Sequence, residues 1–284
     1  MKIGIIGNGF VGKATRVLEC EGIEIMCYDI DPKLCIPEGT TLEELCECDI
    51  IFISVPTPMN EDGSCFLNIV ESVVDDISKI VNLDEKLVVI RSTIPPGTSK
   101  RLNCYFMPEF LTEKNYIDDF VNNPEWVFGV KGNDTLQDSI FMETIKKMIE
   151  LAHYNNKIKY DNISYVLNTE AEMIKLFRNT FLATKIAYCN EISEFCEKSG
   201  INYESVRDLA TRDTRIGGSH TNVPGHDGKK GFGGTCFPKD INSLLHEMKK
   251  LDMDSYILKS VITRNETHDR PENDWKEDKG RATV

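Results

Sequence analysis

The sequence lacks several features that would assign it to a particular class of protein. None of its ten cysteines forms a CxxC pair, and their spacing matches neither a disulfide framework nor a zinc site. No apolar run approaches the ~20 residues needed to span a bilayer, and the first residues do not resemble a signal peptide. We therefore expect a cytoplasmic protein with reduced thiols, no metal and no membrane partner.

Basic residues are also scarce. The 284 residues include 33 lysines and arginines against 46 aspartates and glutamates, so the formal net charge is -13. A nucleic-acid-binding protein usually shows a basic stripe, and none stands out here. We therefore expect no nucleic-acid partner. A small anionic substrate is still compatible with this composition, because local cations can outweigh a global negative charge.

The first thirty residues follow the pattern of a dinucleotide-binding unit. The apolar run over residues 2–6 predicts a buried strand, and GNGFVG follows it at residues 7–12. We predict a helix from Val11 to about Cys20 and a second strand over residues 23–28, which an aspartate follows. This order of strand, glycine turn, helix, strand and acid is typical of a fold that binds NAD.

Each residue of this pattern has an expected role. Gly7 permits the tight turn, Gly9 lets the backbone approach a pyrophosphate, and Gly12 lets the helix pack on the strand. Asp29 is expected to accept hydrogen bonds from the adenosine ribose, which favours NAD over NADP. Asp31 is an alternative for the same role.

Strands and helices continue to alternate through the first half of the chain. Further strands are predicted over residues 49–55, 86–90, 104–106 and 126–130, with helices over residues 67–81 and 135–151. This alternation predicts an α/β fold with a doubly wound, Rossmann-type parallel sheet. Ligands bind such sheets at the carboxyl ends of the strands, so Thr57 and Thr93 are candidates to line a cofactor site. The alternative is that these threonines only cap the helices that follow.

The second half of the chain has a helical pattern instead of alternating strands and helices. Residues 168–198 contain no glycine or proline and carry apolar residues at helical spacing, which predicts one long helix. We expect an NAD-binding domain over residues 1–166 and a helical domain over residues 167–284. Lys175 and Asn179 are four residues apart on the long helix and share a face, although a solvated lysine is the ordinary alternative. The large apolar residues of this helix predict a homodimer.

The segment GFGGTCFPKD, at residues 231–240, surrounds one cysteine with residues that cannot help a core. At the start of a helix and near Lys239, the Cys236 thiol is expected to have a lowered pKa and more nucleophilic thiolate. Asp240 would share its face and could orient a water molecule. A dinucleotide fold with an activated thiol suggests an oxidation that passes through a thioester.

The chain resembles the UDP-glucose 6-dehydrogenase family, within the wider UDP-glucose/GDP-mannose dehydrogenases. The matching motifs are GNGFVG, SVPTP, RSTIPPGT, PEFLTE, EAEMIKLFRNTFLATKIAYCNE, RIGGSH and GFGGTCFPKD, which occur in the family's order. The resemblance implies oxidation of the C6 alcohol of a nucleotide sugar to a carboxylate with two NAD+. UDP-glucose is the leading substrate, followed by UDP-N-acetylhexosamines and GDP-mannose.

The resemblance also implies roles for individual residues. Cys236 is the nucleophile, Lys175 and Asn179 hold the oxyanion and water, and Asp240 helps to position that water. Glu113 is the expected base in thioester hydrolysis. Thr93 is expected between the nicotinamide and the reacting carbon. The implied NAD contacts are Val11, Asp29, Lys33, Thr57, Thr93, Glu113 and Lys239. The implied substrate contacts are Glu109, Phe110, Leu111, Thr112, Glu113, Lys175, Asn179 and Gly233, together with Arg215 from the partner subunit.

One departure from the family separates this sequence from its relatives. Family members commonly carry a further domain that closes over the nucleotide, and this sequence ends at RPENDWKEDKGRATV, where its connection would begin. We therefore expect a short form without the UDP-binding domain, and the sequence does not indicate how the uridine is bound. The alternatives are a hydroxy-acid or 6-phosphogluconate-type dehydrogenase with a single oxidation, and a non-catalytic sensor of sugar nucleotides.

Overall fold

The computed structural model describes residues 1–132 and 135–284. These residues form two compact units. The first unit contains Met1–Thr57 and Leu67–Lys175, and the second contains Pro58–Phe66 and Leu176–Val284. Within the described part of the chain, no helix is both long and apolar enough to cross a membrane.

The first unit is built on a seven-stranded sheet with the strand order β2-β1-β3-β4-β5-β6-β7. The strands are β1 Lys2–Ile6, β2 Glu24–Tyr28, β3 Ile50–Ile53, β4 Leu87–Ile90, β5 Tyr105–Phe106, β6 Trp126–Val130 and β7 Ile163–Leu167. Strands β1 to β5 are parallel, as predicted. The prediction of a Rossmann-type α/β fold is therefore confirmed.

One pair of neighbouring strands departs from the parallel arrangement. Strand β6 runs antiparallel to β5, and β7 is parallel to β6. Parallel neighbours need a crossover connection, usually a helix, whereas antiparallel neighbours do not. The connection from β5 to β6 carries just one short helix, Tyr116–Val121. Strand β7 was not predicted, because four of its five residues are only half-buried and its apolar pattern is weak.

Six helices belong to the first unit. They are α1 Phe10–Thr15, α2 Leu42–Leu45, α3 Asn68–Ile80, α4 Thr98–Arg101, α5 Tyr116–Val121 and α6 Thr135–Tyr154. The helix predicted to reach Cys20 is shorter, because α1 gives way to a 3-10 turn over Arg16–Leu18. The Thr15 hydroxyl donates a hydrogen bond to the carbonyl of Val11, a contact that disfavours helix continuation.

The core of the first unit lies on both faces of the sheet. All four residues of β3 and all four of β4 are buried, as expected for strands covered on both sides. Phe52 and Val89 pack in one apolar cluster, whereas Ile53 and Ile90 pack in the other. Alternate side chains of each strand thus enter the two clusters, and the parallel pairing of β3 with β4 places their carboxyl ends at the same edge of the sheet.

The second unit is helical. Helix α7, Asn168–Lys198, has the predicted bounds and is followed by α8 Tyr203–Ala210, α9 Phe237–Lys250 and α10 Tyr256–Arg264. A π-helical turn, Asn265–Asp269, extends α10, and a 3-10 turn covers Asp274–Glu277. Helix α9 begins at Phe237, so Cys236 lies at the start of a helix, as expected. Pro238 fits in its first turn because the N–H groups there have no partner within the helix.

Candidate active site

The glycine turn of the first unit leaves room for a ligand at one position. A Cβ atom on Gly7 would lie 2.6 Å from the carbonyl oxygen of Ser54, and one on Gly12 would overlap the carbonyl oxygen of Gly7. A Cβ atom on Gly9 would meet nothing within 4 Å. Packing therefore requires glycine at the first and third positions, while the second faces open space. This arrangement fits a pyrophosphate that approaches the backbone of the turn.

The two candidate aspartates differ in what they contact. Asp29 Oδ2 accepts a hydrogen bond from the backbone N–H of Asn8 at 2.7 Å, so this carboxylate lies against the glycine turn. Asp31 Oδ1 instead accepts from the N–H of the exposed Lys33 at 3.1 Å and caps a 3-10 turn over Pro32–Leu34. The geometry favours Asp29 for a ribose contact.

The candidate threonines lie at the ends of β3 and β4. The Thr57 hydroxyl donates to the carbonyl of Thr93 at 2.8 Å, and the Ser92 hydroxyl donates to the carbonyl of Val55 at 2.6 Å. Both threonines are buried, and neither is the residue that caps α3 or α4. Their hydrogen bond joins the two strand ends, which sets the shape of this edge of the sheet.

Lys175 and Glu109 form a buried ion pair in the first unit. Lys175 Nζ lies 2.6 Å from Glu109 Oε1, and their side chains are 3% and 5% exposed. Glu109 Oε2 also accepts from the N–H of Leu111 at 2.9 Å. Arg91, which is fully buried, has its pKa lowered to about 10 by burial, and Glu109 opposes this shift. The solvated-lysine alternative is therefore wrong.

The rest of the PEFLTE segment is more open. Phe110 and Leu111 are half-buried, and Thr112 and Glu113 are exposed. The N–H and hydroxyl of Thr112 both donate to Asp119 Oδ2, at 2.7 Å and 2.5 Å. A backbone held in this way could present N–H groups to a diphosphate.

Cys236 occupies a distinctive position among the ten cysteines, all of which are free thiols. It is half-buried and forms the N-cap of α9. Seven other cysteines are buried, and burial raises the pKa of both Cys27 and Cys104 to about 12. The Thr235 hydroxyl lies 3.7 Å from Cys236 Sγ. Partial exposure and a helix N-terminus are surroundings that favour a reactive thiol.

Lys239, Asp240 and Asn179 are linked to one another in the second unit. Burial lowers the pKa of Lys239, but the negative charges of Asp240 and the Cys236 thiolate outweigh burial and raise it. Lys239 Nζ lies 2.6 Å from Asp240 Oδ1, and Asn179 Nδ2 donates to Asp240 Oδ2 at 2.6 Å. An amide carries two N–H groups, so Asn179 keeps one for a substrate oxygen.

The two remaining candidates lie in the loops that precede α9. Gly233 packs against the guanidinium group of Arg270, and a Cβ atom at this glycine would lie 2.6 Å from Arg270 Cζ. The Arg215 side chain is 87% exposed and pairs with Asp213. Within one subunit Arg215 therefore points into solvent, where a second subunit could meet it.

Comparison with known proteins identifies the family. Residues 38–150 match the NAD binding domain of the UDP-glucose/GDP-mannose dehydrogenase family, and residues 169–267 match its central domain. A UDP-glucose 6-dehydrogenase from Rickettsia prowazekii (strain Madrid E) is 36% identical, over 96% of this chain and 68% of that protein. The chain belongs to the UDP-glucose/GDP-mannose dehydrogenase family. It spans about two thirds of the length of this relative.

Solved structures agree with this assignment. A UDP-glucose dehydrogenase from the hyperthermophilic archaeon Pyrobaculum islandicum aligns with a TM-score of 0.78 at 25% identity, covering 94% of this chain and 68% of that one. A UDP-D-ManNAc dehydrogenase from Pyrococcus horikoshii shares the fold, with a TM-score of 0.72 at 22% identity, and covers 94% and 68% respectively. The chain is an NAD-dependent nucleotide-sugar dehydrogenase with the family's NAD-binding domain.

Sequence reasoning missed two buried polar residues of this dehydrogenase, Asn265 and Arg270, which contact the loop before Cys236. A signal for Asn265 was present in the sequence. Leu258 and Val261 are buried, and residue 265 continues their spacing on the same helical face. An asparagine at such a core position needs a hydrogen-bonding partner, and the chain offers it the backbone of the glycine loop.

Proposed function

We propose that this enzyme oxidises UDP-glucose to UDP-glucuronate in two steps, through a thiohemiacetal and a thioester on Cys236. The observation that carries the proposal is the setting of this thiol: half-exposed, at the N-cap of α9, with Lys239, Asp240 and Asn179 joined by short hydrogen bonds in the same unit. A structural cysteine needs none of these neighbours. When bound, NAD+ supplies the hydride acceptor for both oxidations.

In the proposed steps the Cys236 thiolate forms one bond to the substrate carbon and later leaves it. The first oxidation removes a hydride and a proton from the C6 alcohol and gives an aldehyde. The Cys236 thiolate adds to the aldehyde carbon, and the resulting alkoxide takes a proton to form the thiohemiacetal. Loss of a hydride from that carbon and of a proton from its hydroxyl group leaves a thioester. Water then adds to the thioester, the thiolate leaves, and the carboxylate is released.

Each polar residue has a separate proposed role in these steps. Lys175 and Asn179 stabilise the oxygen that becomes negative, and one well-placed donor of this kind lowers the barrier by about 3 kcal/mol. Asp240 orients the attacking water through the amide of Asn179. Glu113 takes a proton from that water, and Thr93 lies between the nicotinamide and the reacting carbon. These roles, with those of Val11, Lys33 and Thr57 toward NAD, are proposals from the family motifs.

The sugar is tested with a panel of nucleotide sugars. UDP-glucose, UDP-N-acetylhexosamines and GDP-mannose are each incubated with NAD+, and NADH is counted against the sugar consumed. The proposal expects two NADH per UDP-glucose and slower reaction with the others. One NADH per sugar would instead support a single-oxidation dehydrogenase.

The thiol is tested by Cys236→Ser. This variant should form no uronic acid while it still binds NAD+, because serine has no thiolate at neutral pH. The matched control is Cys20→Ser, which removes another partly exposed thiol and should keep full activity. Unchanged acid formation in Cys236→Ser would remove the thiol from the mechanism.

A homodimer through α7 completes the proposal. Phe177, Phe181 and Phe195 are about 60% exposed on this helix (62%, 59% and 62%), so the second unit does not wrap it. Phe177 and Phe181 stack with their ring centroids 6.4 Å apart, which presents a flat apolar surface. Monomers rarely expose such patches. Light scattering at micromolar concentration should give about twice the chain mass of 32.2 kDa.

The shared site is tested by mixing two inactive variants. We propose that the NAD-binding domain covers residues 1–166 and the helical domain residues 167–284. We also propose that Arg215 completes the site of the partner subunit. Arg215→Ala and Cys236→Ser subunits should each be inactive. Their mixed dimer should regain activity, because one of its two sites carries neither change. No recovery despite proven subunit exchange would contradict the shared site.

A further inference from the structure

The backbone of Phe232 is held by one side chain. Asn265 Oδ1 accepts from the N–H of Phe232 at 2.8 Å, and Asn265 Nδ2 donates to the carbonyl of Phe232 at 2.9 Å. Both residues are buried. The amide of Asn265 therefore satisfies both the N–H and the carbonyl of Phe232, as a neighbouring strand would do in a sheet. It thereby fixes the position and the orientation of that peptide.

The glycines on either side of Phe232 are held as well. The N–H of Gly231 donates to Asn190 Oδ1 at 3.2 Å, and a Cβ atom at this glycine would overlap Asn265 Oδ1. On the other side, Gly233 rests on the guanidinium group of Arg270. Close packing on both glycines explains why neither position has space for a side chain.

Arg270 is itself held by two carboxylates. Its Nη1 lies 2.6 Å from Asp227 Oδ2, and its Nε and Nη2 donate to the two oxygens of Asp274 at 2.8 Å and 2.7 Å. The side chain is 5% exposed. The planar group is therefore fixed in angle as well as in position, and it forms a floor under Gly233.

We propose that Asn265 and Arg270 are positioning residues that hold the loop Gly231–Gly233 in the shape that presents Cys236 for reaction. Glycine-rich backbone has the greatest conformational freedom of any segment, so a loop of this composition does not keep one shape without external contacts. The loop reaches Cys236 within three residues, and a displacement there moves the thiol directly.

The experiment compares Asn265→Ala with Thr267→Ala. The control lies on the same π-helical turn, but its exposed hydroxyl contacts only the carbonyl of Thr263 among the described residues. We expect kcat to fall about 100-fold in Asn265→Ala, since a displacement of ~1 Å costs about that much. The KM for NAD+ should stay within about twofold, because no residue of the loop is among the expected NAD contacts. Thr267→Ala should match the unchanged enzyme.

Two further measurements separate positioning from general loss of structure. Iodoacetamide should alkylate Cys236 more slowly in Asn265→Ala, measured without substrate and relative to Cys20 in the same sample. Asn265→Asp keeps the acceptor for the Phe232 N–H and loses the donor, so it should restore part of kcat. If Asn265→Ala does not fold, Arg270→Lys carries the test, because it keeps the buried cation and removes the planar floor under Gly233.

The inference rests on the proposed role of Cys236, and the two can fail separately. If Cys236→Ser forms no acid but folded Asn265→Ala and Arg270→Lys keep full kcat and alkylation rate, the positioning role is overturned alone. If Cys236→Ser still forms acid, the proposed function is overturned, and the positioning role in catalysis falls with it. A loss of kcat and of alkylation rate, with an unchanged KM for NAD+, supports the inference.

Discussion

The buried ion pair between Lys175 and Glu109 gives a quantitative test of the first unit. Changing Lys175 to methionine leaves the Glu109 carboxylate buried without its cation, and changing Glu109 to leucine leaves a buried ammonium group. Breaking one partner of such a pair costs about 3–5 kcal/mol of the free energy of unfolding. With a urea m-value of about 1–3 kcal/mol per M, each single variant should lower the midpoint by roughly 1–5 M.

The double variant should cost much less than the sum of the two singles. Both charges are then gone, and replacing a buried pair by apolar residues is often neutral or stabilising. One polar group is still affected, because the N–H of Leu111 loses its acceptor on Glu109. An unsatisfied buried N–H costs about 1–3 kcal/mol. The double variant should therefore lose about 1–3 kcal/mol, against about 6–10 kcal/mol for additive effects.

The assay is urea unfolding of the four proteins in the cycle, followed by circular dichroism. Lys146→Met is the matched control, since Lys146 pairs with Glu150 on the exposed face of the same unit at 3.8 Å. Exposed pairs contribute little, so its midpoint should hardly move. Single variants with midpoints close to that control, or a double variant that simply adds the two losses, would refute the buried pair.

The remaining predictions concern a thiol, the cofactor and acid stability. Iodoacetamide at neutral pH should alkylate Cys236 well before Cys104, whose pKa burial raises to about 12. Asp29→Ala should raise the KM for NAD+ by about 10-fold, because NAD+ would lose one charged hydrogen bond. The KM for the sugar should change little. Asp274→Asn should cost about 1.5–3 kcal/mol at neutral pH, because hydrogen bonds from Arg270 hold the pKa of Asp274 below its ordinary value. That difference is complete above about pH 4, the unfolded pKa of aspartate, and should shrink as pH falls through the lower folded value.

Each of these predictions has a contrary outcome. Faster alkylation of Cys104 than of Cys236, read by peptide mass mapping, would place the reactive thiol elsewhere. Asp31→Ala is the control for the cofactor prediction, and a larger effect in it than in Asp29→Ala would reverse the assignment of the ribose contact. A stability difference for Asp274→Asn that is the same at pH 3 and pH 7 in thermal unfolding would exclude its pairing with Arg270.

The sequence predicted the strands and helices whose pattern lies within one continuous stretch of residues. The apolar runs of β1, β3, β4 and β6 and the uninterrupted helix α7 all lie where periodicity placed them. The direction of β6 was not predictable, because the residues of a short strand are the same whichever way it pairs.

The same distinction holds for the candidate site. Cys236, Lys239 and Asp240 are neighbours in the sequence, so their shared chemistry could be inferred from spacing alone. Asn265 could not be assigned a role, since its partner Phe232 is 33 residues away. Glu172 is a similar case: it is fully buried and accepts from the N–H groups of Gly97 and Ser99, more than 70 residues earlier. A polar residue that serves a distant backbone has no local pattern.

The buried charges themselves argue for a site rather than for stability. An apolar pair of similar volume at Lys175 and Glu109 would cost the fold little, because desolvation of two ions offsets much of their attraction. Asp240 is also buried, and it is held between Lys239 and Asn179 rather than by apolar neighbours. Charges in water-poor surroundings act more strongly on a reacting group than the same charges in water. We therefore expect these groups to act in the proposed reaction, because oxidation of an alcohol develops charge on oxygen.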